Sequence, residues 1–312
     1  MRAKSILLTV LVMLATGQPM PTAARPTVEL IETTQVVTPP RSPGQQVEMV
    51  GFDRQGRPFW NSDPLPALPT SACPDSAHHP LAQPRQVLLG QPRVEHLTCS
   101  NGTRVLLGWT GNQLRWRASL QGDEEILGVS EDALVDSHLG VRAPGTGEGI
   151  EAPVMRGARP DGTGIPRYRI HSPTLYRPRQ RDFILFDPDH WRFGQAGLYR
   201  LDSRSGQHEL LWPLERCGPL GLWGAATVRD LRTDVSGRFL FLHRQCQGRG
   251  HPGWHALSVF DTVRKTPVFE QRFEREAVVA LAQAGNGDVA VATLPDGRND
   301  RVDLRVYRLT RP

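Results

Sequence analysis

Two short segments of the sequence gather side chains that can do chemistry. His251-Pro-Gly-Trp-His255 sets two imidazoles four residues apart, the spacing that aligns a pair of metal ligands on a helix. Pro252 and Gly253 oppose a helix there, and no acidic residue lies in the gap to act as a base. Two exposed loop histidines are the plainer reading. Asp187-Pro-Asp189-His190-Trp191 brings carboxylates, an imidazole and an indole together, a set that suits a cation or a sugar ring. The same residues also make ordinary turns, in which Asp caps its own backbone and Pro fixes the bend. With Trp223, these segments give a candidate binding set of Asp189, His190, Trp191, Trp223, His251 and His255.

Contiguous catalytic signatures are absent. The chain has no Gly-x-Ser-x-Gly, no His-Glu-x-x-His and no phosphate-cradling glycine loop. Asp296-Gly-Arg-Asn299-Asp300 has the composition of a calcium loop but lacks the spaced oxygen ligands and closing glutamate of an EF-hand. Glu124 with Glu125 and Glu274 with Glu276 are close in sequence, whereas a glycosidase dyad meets from different strands. No catalytic residue, metal site or cofactor is indicated. Asn101-Gly-Thr103 is a glycosylation sequon, relevant in a host that uses one.

Met-Arg-Ala-Lys followed by the apolar run Ile6 to Leu14 reads as a secretory signal peptide over residues 1–24. The run is far shorter than the roughly 18 apolar residues a membrane span needs, so no transmembrane segment is expected in the mature chain. Cleavage fits after Gly17 or, preferably, Ala24, and a periplasmic or extracellular location follows. Export places Cys73, Cys99, Cys217 and Cys246 where disulfides persist. Of the three connectivities, the local one, Cys73 with Cys99 and Cys217 with Cys246, is preferred. Zinc competes poorly because no Cys-x-x-Cys is present.

Loss of Arg2 and Lys4 lowers the net charge from +5 to +3. The arginines are dispersed, so nucleic acid is not an expected partner. The residues left after Ala24 suffice for one large β domain with a sizeable core.

These segments need a scaffold, and a repeat supplies one. Residues 25–92 form a Pro-rich extended segment containing two strand-like pieces, Val28 to Val37 and Val47 to Phe52. From residue 93 to 312, one four-strand template recurs four times. The clearest copy runs through Val228 to Leu231, the turn Asp234-Val-Ser-Gly, Arg238 to His243, Leu257 to Asp261 and Val268 to Phe273. Another begins at Val278, a third at Tyr168 to His171 and Asp182 to Phe186, and the first at Val94 to Thr98 and Arg104 to Trp109. Anchored on Arg104, Asp182, Arg238 and Asp288, the spacings are 78, 56 and 50 residues. The 78-residue gap holds the glycine-rich stretch Ser130 to Pro166, read as a long excursion or a degenerate extra blade.

The turns, most visibly Asp234-Val-Ser-Gly-Arg-Phe-Leu-Phe, resemble the Asp-Gly-Arg hairpins of WD40-like and TolB-like β-propeller repeats over residues 93–312. The Trp-Asp dipeptide of WD40 blades is absent. The resemblance implies an all-β, β-propeller-like array of four-stranded antiparallel blades, with four recognisable units and room for five or more. It also implies ring closure, in which Val28 to Val37 or Val47 to Phe52 completes the last blade and removes an exposed edge. Loops Asp187 to Gly194, Arg216 to Ala225 and Gln245 to His255 would then share one face.

The function that fits best is an exported, non-catalytic binding or scaffold protein using that loop face, with a protein or saccharide as ligand. One alternative is a propeller enzyme of the metal-assisted hydrolase or lactonase type, with ligands drawn one per blade. The other is a carbohydrate binder using Trp191, Trp223 and Trp254. Three or more converging Asp, Glu, His or Asn ligands would favour the enzyme.

Overall fold

The structure is a computed structural model that describes residues 26–37, 49–52, 57–61, 68–73, 86–90, 93–120, 124–130, 132–150, 172–188, 195–217, 226–248, 251–274, 276–284, 286–295 and 301–310. The signal-peptide stretch lies outside these residues. The chain begins with β1 (Thr27–Val37) and a hairpin of β2 (Met49–Phe52) and β3 (Pro58–Asn61), then makes a 3-10 turn at Thr70–Ala72. Sheet one follows as β4 (Gln86–Gly90), β5 (Arg93–Thr98), β6 (Arg104–Thr110) and β7 (Gln113–Leu120). Sheet two is β8 (Ile126–Val129), β9 (Leu134–Asp136), β10 (Val141–Arg142) and β11 (Gly149–Ile150). Sheet three is β12 (Thr174–Arg177), β13 (Asp182–Asp187), β14 (Gly197–Asp202) and β15 (His208–Pro213). Sheet four is β16 (Thr227–Thr233), β17 (Phe239–Gly248), β18 (His251–Asp261) and β19 (Thr266–Phe273). Sheet five joins β20 (Glu276–Gln283), β21 (Val289–Pro295) and β22 (Arg301–Thr310) to β1.

Burial orders the strands within each sheet. The fourth strands β7, β15 and β19 are mostly exposed or half-buried, as an outer edge should be, while β6 and β13 are buried on both faces. The first strands touch in succession: β8 against β12, β12 against β16 and β16 against β20. Arg232 of β16 donates to the Val129 carbonyl of β8, two sheets away, so these strands surround a common axis. Apolar cores fill each gap between neighbouring sheets. Leu106 and Leu134 meet between sheets one and two, Tyr176 and Val135 between two and three, Leu198 and Leu240 between three and four, and Phe241 and Val291 between four and five.

This is a β-propeller of five four-stranded antiparallel blades among the described residues. The hairpin fills the remaining place in the ring. Val50 of β2 packs on Leu304 of blade five, and β2 also lies against β4 of blade one. Closure is by β1, which pairs antiparallel with β22 from Thr27 opposite Thr310 to Val37 opposite Arg301. Of the two strand-like pieces offered for this role, the first takes it, and the second pairs with β3.

The structure extends the repeat frame in one place and corrects it in two. Between blades one and three stands a short, complete blade, β8 to β11, so the degenerate-blade reading of the glycine-rich stretch holds as far as Ile150. In blade one, Arg104–Thr110 is the third strand, Gln86–Gly90 is the first, and Ile126–Val129 belongs to blade two. Local turn chemistry explains the slip. Cys99 N to Thr103 O and Gly102 N to Cys99 O reproduce the bonds Asp234 N to Phe239 O and Gly237 N to Asp234 O, although the two turns join different strands of their blades. In blade three, the first strand is Thr174–Arg177, and Tyr168 to His171 lies outside the described residues.

Candidate functional site

Antiparallel succession puts the β13–β14, β15–β16 and β17–β18 connections at one end of blades three and four. Asp189, His190 and Trp191 fall in the first of these connections and Trp223 in the second, all outside the described residues. His251 opens β18 opposite Gly248, and nothing is described of its side chain. His255 is half-buried and sits one strand in from the outer edge. Both disulfides join the preferred partners. Cys73–Cys99 ties the 3-10 turn to the end of β5, and Cys217–Cys246 ties the segment after β15 to β17, with Cα atoms 5.7 Å apart.

Strand β17 divides its side chains between two blade gaps by simple alternation. Leu240 and Leu242 face blade three, and Arg244 and Cys246 continue that row. Phe239 and Phe241 face blade five, and His243 and Gln245 continue theirs. The last turns of both rows are therefore polar where the strand pattern calls for apolar residues.

On the blade-five side, Arg229, Gln245, His255 and His243 form a chain. Arg229 Nε donates to Gln245 Oε1 at 2.6 Å. Gln245 Nε2 meets His255 Nε2 at 3.4 Å, and His255 Nδ1 meets His243 Nε2 at 2.9 Å, with the two imidazoles stacked 5.1 Å apart. An arginine cannot accept, so its bond fixes the glutamine oxygen towards it and the glutamine NH2 towards His255. His255 Nε2 must then accept, which leaves its proton on Nδ1 for donation to His243. Both rings are thereby neutral. Burial, then the adjacent His255 imidazole and the Arg229 charge, pushes His243 down to about 3, and burial followed by Arg229 lowers His255 as well.

On the blade-three side, Arg244 is 1% exposed and donates to Ser258 Oγ, Glu270 Oε2 and Glu215 Oε1 at 3.1, 2.7 and 2.9 Å. Its guanidinium lies 4.7 Å from the Trp212 ring centre and 5.5 Å from that of Trp254, and Arg272 lies 4.6 Å from Trp254. Trp212, Arg244, Trp254 and Arg272 thus alternate in one cation–π ladder. Burial would raise the Glu270 carboxyl, but the hydrogen bond from Arg272 and the Arg244 charge outweigh it and hold it low. Trp254 also packs on the Cys217–Cys246 pair.

The opposite end of the blades is built differently. Arg177 with Asp182, Arg238 with Asp261 and Arg308 with Asp288 pair where turns connect strands, which is structural chemistry repeated in three blades. Asp136, at the loop end of blade two, is raised by burial despite accepting N–H bonds from Gly140 and His138. Among the described residues, no group of three or more His, Cys, Asp or Glu side chains is placed to hold a metal ion.

Of the residues singled out in the sequence, the structure brings the side chains of His255 and Trp254 into this cluster, with the Cys217–Cys246 bridge beside them. Arg229, His243, Gln245, Arg244 and Arg272 were missed, and their signal was the polar run His243-Arg-Gln ending an otherwise apolar strand.

No family model matches the chain. No curated protein matches it. Among solved structures it is similar to the WD40 β-propeller domain of Doa1, at 12% identity and a TM-score of 0.37 over 72% of this chain and 62% of that one. It is also similar to the computationally designed Ika8 protein, at 13% identity and a TM-score of 0.37 over 72% and 58% of the respective chains. The chain thus spans under two thirds of the length of both solved chains. The propeller assignment rests on the sheet order and the packing of the blades.

Proposed function

We propose that this chain is an exported, non-catalytic binding or scaffold protein that uses the loop end of blades three and four. The observation that carries the reading is the concentration of fixed polar structure there: a neutral relay on one side of β17, a cation–π ladder on the other, and a disulfide across the base. Such a base pre-organises the loops above it and reduces the ordering entropy that binding must offset. Two cysteine pairs at bonding distance hint at an oxidising compartment, which supports export to the periplasm or beyond. A protein partner suits the face better than a saccharide held by Trp254, because that ring already carries Arg244 and Arg272. Sugar stacking would fall to Trp191 and Trp223.

The test joins metal analysis of the purified mature chain to a thermal-shift panel of peptides, saccharides and small organic ions. A melting shift without bound metal or turnover is the expected result. Stoichiometric metal with hydrolysis of an ester or lactone would replace this reading with the enzyme one. Export is checked by thiol alkylation of intact cells, in which all four cysteines should resist modification.

A further inference from the structure

In four of the five blades the first strand carries a bulge at the same point, and the extra residue differs. Register shifts fall between Val87 and Leu89, Ile126 and Gly128, Val228 and Asp230, and Val278 and Ala280. The inserted residues are Leu88, Leu127, Arg229 and Val279. Only blade four has a charge there. A bulge re-aims the side chain it inserts, and such kinks are common beside binding sites.

Arg229 differs from every other charged residue on the described first strands. Arg177 is paired with Asp182, Arg232 with Asp230, and Glu276 with Arg305. Arg229 is exposed and has no carboxylate partner among the described residues; its bond is the one from Nε to Gln245. With Nε engaged, the edge formed by Nη1 and Nη2 has no partner among the described residues, and two parallel N–H groups match the two oxygens of a carboxylate. Gln245 is buried and held in turn by His255 and by its own backbone carbonyl, which accepts from Thr227 Oγ1 at 3.2 Å. The guanidinium is therefore oriented from behind by neutral groups, and nothing in the relay cancels its charge.

We infer that Arg229 is a carboxylate-binding residue at the loop end of the propeller axis, with Gln245, His255 and His243 acting as positioning residues behind it. This rests on the binding reading and names the ligand class for the same end of the molecule. One guanidinium with one open edge suits a single planar carboxylate group. A phosphate or sulfate site would gather further unpaired cations, and the other cation on this strand, Arg232, is taken up by Asp230 and the Val129 carbonyl.

The experiment is calorimetric titration of the oxidised mature chain at low ionic strength with sodium succinate, succinamide and sodium sulfate. A short peptide with a free and with an amidated C-terminus distinguishes a peptide carboxylate from a small-molecule one. Saturable binding of succinate or the free-acid peptide, with the amides inert and sulfate weaker, is expected. Arg229→Gln should weaken that binding at least about tenfold, and Arg229→Lys, which keeps the charge without the fork, should recover only part. Arg308→Gln, at the opposite end, should change nothing. The exposed position of Arg229 leaves folding intact, and circular dichroism of each variant verifies it. Equal binding by Arg229→Gln, no binding of any carboxylate, or sulfate bound as tightly as succinate overturns the inference. If non-carboxylate members of the panel still bind Arg229→Gln, the binding reading survives alone. Metal-dependent turnover would remove both.

Discussion

Cys246 stands directly opposite Trp254 in the β17–β18 ladder, so the Cys217 disulfide and the cation–π ladder meet at one cross-strand pair. The bridge closes a loop with a sequence separation of 29 residues. In the chain-entropy account, such a loop is worth about 3–4 kcal/mol. Replacing both Cys217 and Cys246 with alanine should lower the melting temperature by roughly 10 °C and red-shift tryptophan emission as Trp254 loses its backing. A matched loss on removing Cys73 and Cys99, without the spectral change, would separate the two bridges. An unaltered emission spectrum in the Cys217/Cys246 variant would show that the ladder stands without the bridge.

Arg244 and Arg272 both contact Trp254, yet their burial predicts unequal consequences. Arg244→Ala removes a buried cation from Glu215 and Glu270 and leaves a void between two indoles, which should cost about 3–5 kcal/mol in urea unfolding. Arg272 is 46% exposed, so Arg272→Ala should cost about 1 kcal/mol or less. Arg244→Met should recover part of the loss, because Glu215 and Glu270 are both partly exposed and can turn to water. Equal losses for the two alanine variants would mean that the ladder is a surface feature.

Strand β1 closes the ring, and its removal tests whether closure matters energetically. Val28 and Val36 pack partly against the blade-five cores, and the full length of β22 pairs with β1. Deleting Thr27–Val37 would expose a ten-residue strand edge together with those apolar faces. The expected outcome is a loss of several kcal/mol and concentration-dependent association in size-exclusion chromatography. A monomer with an unchanged urea midpoint would mean that β1 merely lies on the surface.

The sequence made the blades legible where burial and turn chemistry agree. Arg238 to His243 is apolar on both faces and preceded by an Asp-x-x-Gly turn, and it is the second strand of blade four. The frame slipped in blade one because Arg104 to Trp109 is equally apolar and also follows a glycine-containing turn, Ser100-Asn-Gly-Thr, yet it is a third strand. Blade two was too short to show a period, since Val141–Arg142 and Gly149–Ile150 contribute two residues each. The polar cluster was obscured for a different reason. Arg229, Gln245, His255 and His243 are assembled by strand register and a bulge, and neither leaves a contiguous motif. The pairing of His251 with His255 at four-residue spacing drew attention to the right strand, whereas the partner that meets His255 lies on β17.

The relay predicts how stability responds to acid. His243 is held near 3 in the folded chain, first by burial and then by the adjacent His255 imidazole and the Arg229 charge, against about 6.5 when unfolded. The unfolded state therefore binds a proton that the folded state refuses between those values, so stability falls as pH drops below about 6.5 and is constant above it. From pH 7 to pH 5, His243 alone should remove about 2 kcal/mol, and the lowered His255 acts in the same direction. Paired carboxylates such as Asp261, Asp288 and Glu276 are held low and stay ionised in both states across most of this window, so their effect appears only at lower pH. On blade five, Glu276 and Arg305 pair with each other. Urea unfolding at pH 5, 6 and 7 measures the slope. His243→Leu, which fills the site without titrating, should flatten it by up to one proton while circular dichroism stays unchanged. Parallel slopes for the parent and His243→Leu would show that the imidazole protonates freely in the folded chain, and that the neutral relay behind Arg229 does not hold.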